Sequence, residues 1–293
     1  VNSTILTIGM PVFNDIDFIE KSIQSVLAIT DVSFHLILSD DGATDGSEAI
    51  CKAYAEKDKR ITYIKQKKNL GISKNMEFLL NEAKTEYFMW AADDDLWDKS
   101  FAKKLIKLLD DNQDVISAFC AFYLIDEEDN VISNVESYNY QEKSPFQRLK
   151  RFIKQPSDTF GYGIFRTEKI KNVTFPVWWW PNRKTPYNNI YPTLAYYLSL
   201  GDYRNFDQEV LFYKRIKTSA KTNHVLTGKG NGIKELFAFT IRRFNLVCVT
   251  AQKITSGSTV WVTIRIFPSL FFHWFIKTVF NEYIRVIQIK GKS

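Results

Sequence analysis

A chain of 293 residues, 45% hydrophobic and 25% charged, is long enough for one large domain or a domain with an appendage, and too apolar to be disordered. A net charge of +6 suits an anionic ligand or an anionic membrane surface. No zinc-finger spacing, RNP-type aromatic motif or dense basic run accompanies it, so nucleic acid is not expected as a partner. Cys51, Cys120 and Cys248 lie far apart with no CxxC pair, which argues against a cysteine zinc site or a disulfide framework and for buried free thiols in a reducing compartment.

In chain order, residues 4–10 read as a strand, 18–28 as a helix with Phe18, Ile19, Ile23, Val26 and Leu27 on one face, and 34–39 as a second strand. Residues 47–55 are helical, 61–64 a third strand, 72–83 a helix, 87–91 a fourth strand and 101–109 a helix. This alternation predicts a parallel sheet covered on both faces, with ligands bound beyond the carboxyl ends of the strands. Polar clusters follow each of the four strands, at 11–17, 40–45, 65–71 and 93–95, so one shared site is expected there.

The second half is less regular. Residues 115–125, 131–133, 162–166 and 210–215 are expected as strands. Residues 175–192 form a long loop rich in Pro, Trp, Tyr and Asn, and 193–200 a helix capped by Gly201. From residue 233 the chain turns amphipathic and aromatic. Over 261–289 its longest run between Arg, His, Lys and Glu residues, 266–272, is far short of the ~20 residues that span a bilayer. Helices lying in a membrane interface and helices packed on protein fit that tail equally well. The chain opens straight into a strand-like run, without a leader-type segment.

Three adjacent carboxylates, Asp93, Asp94 and Asp95, follow the fourth strand. Their mutual repulsion calls for a counter-charge, and an oxygen-preferring divalent cation would supply one. One or two acids would serve the helix that follows; three exceed that need. In Asp40-Asp41-Gly42-Ala43-Thr44-Asp45-Gly46-Ser47 the glycines permit a tight turn and Asp45 or Ser47 can cap a helix, which leaves Asp40 and Asp41 unexplained. In Asn69-Leu70-Gly71-Ile72-Ser73-Lys74-Asn75, Gly71 turns the chain, Ser73 is a candidate cap and Lys74 offers a cation to a diphosphate.

Met10-Pro11-Val12-Phe13-Asn14-Asp15 resembles the opening motif of inverting family-two glycosyltransferases, and residues 39–47, 69–75 and Ala92-Asp93-Asp94-Asp95 resemble their second, third and DXD motifs, in the same order and spacing. The resemblance is specific over residues 4–101 and looser to 215. It implies a GT-A fold, α/β with a mostly parallel Rossmann-like sheet, over residues 1–218, with a nucleotide-sugar half (1–100) and an acceptor half (101–218); the helical extension expected over 219–293, membrane-associated or packed on protein, is read from its own amphipathic pattern. It also implies that Pro11, Phe13 and Asp15 flank the nucleotide and that Asp40 or Asp41 contacts the base, with Asn69, Gly71 and Lys74 nearby. Asp93 and Asp94 would line the donor, and Asp93 and Asp95 would hold Mn²⁺ or Mg²⁺. The expected partners are a nucleotide-sugar donor, UDP-linked by preference, and a glycan or lipid-linked glycan acceptor. The expected setting is bacterial surface polysaccharide assembly at the cytoplasmic face of the membrane.

Two departures from the family pattern stand out. The family places a catalytic Asp just before the helix that ends here at Gly201, yet residues 187–192 hold no carboxylate, and neutral Asn188 and Asn189 cannot take a proton. Asp158 is the substitute candidate for the base, with a turn-capping role as its structural alternative. Many relatives carry a His two residues after the Arg of Tyr213-Lys214-Arg215; here it is Lys217, with His224 beyond. Trp178-Trp179-Trp180 suits a sugar-binding pocket or a packing cluster. The missing base keeps open an alternative, a degenerate subunit that binds nucleotide-sugar or glycan without turnover. A nucleotidyltransferase ranks last, because residues 11–14 form no Gly-rich basic loop.

Overall fold

The structure, a computed structural model, describes residues 3–217 apart from 139, 155–156, 172, 174, 176, 180–185 and 189. The extension 219–293, with its expected helices, membrane contact and His224, therefore lies outside the described residues.

The elements run β1 (Leu6–Val12), α1 (Ile19–Leu27), β2 (Phe34–Asp40), α2 (Ser47–Lys57), β3 (Ile61–Lys65), α3 (Ile72–Glu82), β4 (Tyr87–Trp90), β5 (Leu96–Trp97), α4 (Phe101–Asp110) and β6 (Val115–Ile125). There follow α5 (Pro145–Lys154), a 3-10 turn (Thr159–Tyr162), β7 (Ile164–Arg166), α6 (Thr167–Ile170), β8 (Val177–Trp179), β9 (Pro186–Asn188), α7 (Tyr191–Leu200) and β10 (Asp202–Arg215). One eight-stranded sheet has the order β3-β2-β1-β4-β7-β6-β10-β5, and β8 with β9 forms a separate hairpin. Strands β3, β2, β1 and β4 are parallel, as are β6 and β10, whereas β7 and β5 run against their neighbours.

Every residue of β1 and of β4 is buried, as a strand covered on both faces requires. Helix α1 seats Ile19, Ile23 and Val26 against the sheet, and α4 seats Phe101, Leu105 and Leu109, spacings that place each set on one helical face. At the sheet centre the Trp90 indole packs against Phe88, Phe165, Phe175 and Tyr197 and donates from Nε1 to the Met76 carbonyl (3.0 Å). Burying so large a ring contributes about 3 kcal/mol, and its polar edge is satisfied.

The second half departs from expectation in ways that local physics explains. Residues 131–133 form no strand: Asp126 Oδ1 accepts the Glu128 and Asn130 amides, Asp129 takes a left-handed φ of 70°, and this tight turn leaves Val131 only a single bridge to Ile125. The strand expected over 162–166 begins two residues later because the 3-10 turn occupies its start. The expected loop 175–192 contains the β8–β9 hairpin, and α7 starts within it. Gly201 is not a left-handed cap; its φ is −176°, and a Cβ there would lie 2.5 Å from Ile116 Cγ2, so the glycine admits close approach to β6. Strand β10 is twice as long as the apolar run 210–215 suggests, since pairing with β6 recruits the polar residues before it across a bulge.

Candidate active site

The exit of β2 is tied together by its own carboxylates. Asp40, fully buried, accepts the Gly42 and Ala43 amides on Oδ1 (2.9 and 2.7 Å) and the Tyr63 hydroxyl on Oδ2 (2.6 Å). Asp41 accepts the Leu70 and Gly71 amides (2.6 and 2.8 Å), which lashes the loop after β3 to the loop after β2. Burial pushes its carboxyl above the ordinary range against the pull of those amides. Gly71, at φ 75°, supplies the left-handed turn into α3, and Asn69 donates to the Asp41 carbonyl. Lys74 pairs with Glu77 one turn further on (2.6 Å), so its ammonium is held along α3. Ser73 does not cap the helix; its buried hydroxyl has no partner among the described residues. Asp45 accepts the Ser47 amide at the start of α2 and the Ile16 amide, joining this loop to the one after β1.

Pro11, Phe13 and Asp15 lie at the exit of β1, next to the exit of β4. The Phe13 amide donates to Asp93 Oδ2 (3.0 Å), and its ring is 49% exposed at the rim. Lys217, two residues past β10, pairs with both Asp15 and Asp94, the latter at 2.8 Å. Its ammonium lies 5.1 Å from the centre of the Phe18 ring.

Asp95, 2% exposed, gives Oδ1 to the Arg215 amide (2.7 Å). The buried Arg215 guanidinium donates to the Asp94 carbonyl (2.8 Å) and pairs with Asp129 (2.5 Å), so β10 clamps the acidic loop through backbone and side chain. Beside it Lys214 pairs with Asp158 (2.6 Å), donates to Thr159 Oγ1 (3.0 Å) and feels the charge of Asp95. The turn-capping alternative for Asp158 is not realised: its side chain makes no cap bond, and Ser157 Oγ accepts the Thr159 amide instead.

The electrostatics follow from this crowding. Burial, then the neighbouring Asp15 and Asp94, raise Asp93 well above the carboxylate range; burial, then Asp94, do the same for Asp95. Burial lowers and the adjoining carboxylates raise Lys217, with the carboxylates winning, so it stays charged. At an effective dielectric of ~20, an ion pair at ~4 Å gains about 4 kcal/mol before desolvation is counted.

The oxygen donors of Asp93, Asp94 and Asp95 suit Mn²⁺ or Mg²⁺, ions that one or two carboxylates hold together with substrate phosphates. Asp93, Asp94 and Asp95 reach in three directions, to the Phe13 amide, to Lys217 and to the Arg215 amide. Among the described residues no three of His, Cys, Asp or Glu converge as a metal site. Lys217 lies against Asp15 and Asp94, and Lys214 against Asp158, which gives the acidic cluster part of its counter-charge.

The β1, β2 and β4 exits thus share one crevice wall with the end of β10, in an α/β sheet of the nucleotide-binding kind with acidic loops beyond its strands; that defines the GT-A class of fold. Solved structures agree. The chain is similar to Staphylococcus aureus TarS 1-349 in complex with UDP-GlcNAc, with a TM-score of 0.63 at 17% identity over 87% of this chain and 67% of that one. It is similar also to the mannosyltransferase PcManGT of Pyrobaculum calidifontis in complex with GDP-Man and Mn²⁺, with a TM-score of 0.53 at 13% identity over 98% of this chain and 86% of that one. Residues 7–174, more than half of the chain, match the description "Glycosyl transferase family 2", and the chain belongs to that family. An uncharacterized glycosyltransferase of Rickettsia typhi is 27% identical over 76% of this chain and 68% of its own length. Glycosyltransferase GlyA of Streptococcus pneumoniae is 28% identical over 47% of this chain but only 20% of its own length. Most of the curated relatives matched are longer, and the chain spans about half of them or less.

Sequence reasoning missed Arg215 as the clamp on the acidic loop and Lys214 as the partner of Asp158. The signal was present in the run Lys214-Arg215-Ile216-Lys217, where alternate residues of a strand end face one side. Asn188 and Trp178–Trp179 fall in the β8–β9 hairpin, but their side chains, like Asn189 and Trp180, lie outside the described residues.

Proposed function

We propose that the chain transfers a sugar from a nucleoside diphosphate sugar, UDP-linked by preference, to a hydroxyl of a glycan or lipid-linked glycan. The observation that carries this reading is the meeting of Asp15, Asp93, Asp94 and Asp95 with Lys214 and Lys217 at the exits of β1, β4 and β10, beside the folded loop of Asp41, Asn69 and Gly71. The base edge of the donor would lie along the loop of Asp40 and Asp41, whose carboxylates hold the Gly42, Ala43, Leu70 and Gly71 amides in place. Phe13 would cover the nucleotide from the rim. The complex of TarS with UDP-GlcNAc supports the nucleotide preference.

In the reaction, the acceptor hydroxyl oxygen attacks the anomeric carbon and the bond to the diphosphate breaks, its electron pair leaving with the diphosphate oxygen. The hydroxyl proton passes to Asp158, whose carboxylate borders the same crevice through Lys214. Inversion follows from a single displacement of this kind. Asp93 and Asp95 would hold Mn²⁺ or Mg²⁺, which would offset charge on the leaving diphosphate, and Lys214 and Lys217 are the protein's own cations beside them. The setting we assign is surface polysaccharide assembly at the cytoplasmic face of the membrane, with residues 219–293 making any membrane contact; no helix among the described residues is long and apolar enough to cross a bilayer.

A panel of UDP- and GDP-sugars, assayed for binding by calorimetry and for hydrolysis and transfer, tests the reading. Turnover of one donor is expected, and Asp158→Asn should lower it by ~10²–10⁴ while donor binding stays unchanged. The engagement of Asp158 by Lys214 favours one second reading, a subunit that binds donor without turnover. Tight donor binding by the unaltered protein, with no hydrolysis or transfer to any glycan, would select it.

A further inference from the structure

The apolar surface that the fold leaves open is concentrated on one face. Strands β3, β2, β1, β4, β6 and β10 all run the same way, since β7 is antiparallel to both β4 and β6. Among the described residues, every exposed large apolar side chain except Leu200 follows the carboxyl end of one of these strands. Four of them gather where β6 and β10 end. Val131, Ile132 and Val135 are 51%, 54% and 53% exposed, on a segment held beside β6 by the Ile125–Val131 and Phe122–Glu136 bridges. Ile216 is 39% exposed, and its amide donates to the Ile125 carbonyl (2.9 Å). The turn that carries this patch, Asp126-Glu127-Glu128-Asp129, adds four carboxylates, of which Asp129 meets Lys21 and Arg215. Single exposed apolar residues need no explanation, but four grouped beside an acidic turn mark a surface for a partner that is apolar and basic.

The chain itself supplies such a partner, and it departs from this spot. Ile216 is a member of the patch, and the extension begins two residues later. Residues 218–293 hold eleven Lys and Arg against two Glu, so the extension carries +9 of a chain whose net charge is +6, and residues 1–217 carry −3. Within it, residues 233–254 have a one-sided pattern: at helical spacing Ile233, Phe237, Phe244, Val247 and Cys248 share one side, with Lys234, Arg242, Arg243 and Lys253 around it. Residues 218–232 tether this stretch to the patch, which makes docking intramolecular, with an effective concentration on the order of millimolar.

We propose that residues 233–254 dock on the domain at the ends of β6 and β10, with their apolar side on Val131, Ile132, Val135 and Ile216 and their basic residues toward the Asp126–Asp129 turn. The charges of the two parts are opposite, and both present apolar residues. Docking there leaves the aromatic stretch 261–289 for the membrane contact proposed above. The inference is independent of the sugar-transfer reading, since it concerns no residue given a role in that reaction.

The test uses the full chain in lipid-free buffer. Ile132→Cys, treated with a short bismaleimide, should give a link between residue 132 and the natural Cys248 within one chain. Cys51 and Cys120 are buried and do not compete. Leu200→Cys, at the opposite end of the strands, should give no such link. In amide exchange, residues 233–254 should be protected in the unaltered protein, and Ile132→Asp with Val135→Asp should lower that protection about tenfold or more, because a charge is set against the apolar side. Both substituted positions are more than half exposed, and an unchanged urea midpoint for the domain confirms that it folds. Exchange over 233–254 that is the same in the double variant and the unaltered protein, with no 132–248 link, overturns the proposal. So does protection of that stretch that appears only when phosphatidylglycerol vesicles are added, which would assign it to the lipid surface.

Discussion

Two groups of carboxylates lie at neighbouring strand exits and are treated in opposite ways. At the exit of β2, Asp40 and Asp41 are saturated locally: five hydrogen bonds come from residues of the next two loops and strand, all within thirty positions in sequence. At the exit of β4, Asp93, Asp94 and Asp95 receive an amide from Phe13, an amide from Arg215 and an ammonium from Lys217, the last two more than a hundred positions away. The first group builds a loop. The second stays crowded, with raised carboxyls and cations drawn from the far end of the sheet. Acidic runs that look alike in sequence thus divide into a set satisfied by short-range donors and a set left crowded until distant strands reach it.

The comparison can be broken most forcefully at Asp40. Asp40→Ala strands the Gly42 and Ala43 amides and the Tyr63 hydroxyl and should cost about 3 kcal/mol in urea unfolding. An unchanged midpoint would mean that the loop does not depend on this carboxylate. Asp94→Asn should act the other way. It removes a repelling charge, so stability holds or rises, while turnover falls by ~10² because the acidic run proposed to line the donor loses the carboxylate that faces Lys217. Loss of stability with normal turnover would move Asp94 into the structural set.

Stability against pH sharpens the same division. Asp93 and Asp95 hold protons in the folded state that the unfolded chain releases around 3.8, so stability should fall as pH rises from about there through their raised folded values, and then level off. Because Asp94 contributes to both shifts, the decline should be shallower in Asp94→Asn; urea midpoints across pH 4–8 read the slope directly. The smallest effect is expected at Cys51. Burial, with help from Asp40 and Asp93, pushes its thiol up to about 12, so iodoacetamide at neutral pH should label it only after denaturation.

Much of the first half was legible because its signals are local. Alternation of apolar strands with one-sided helices set β1–β4 and α1–α4 to within two or three residues at each end, and the polar clusters at the four exits named the crevice. In the second half, the 131–133 strand failed because a turn built on Asp126 intervenes, and β10 outran its apolar stretch because β6 offered it a partner. Gly201 was read as a helix cap, but its reason is a neighbour, Ile116, eighty-five positions back in the chain.

The sequence by itself determined the order of β1–β4 and α1–α4, the polar clusters at their exits and, through four motifs in register, the family. The tertiary structure alone decided which of the acidic residues are already spent on the fold, that the Asp158 side chain pairs with Lys214 and caps no turn, and that Lys217 sits between Asp15 and Asp94. The reason is range. Periodicity and turn chemistry act over a few residues, whereas a counter-charge is chosen by whichever strand end the sheet brings alongside, and here that strand lies at the opposite end of the described chain.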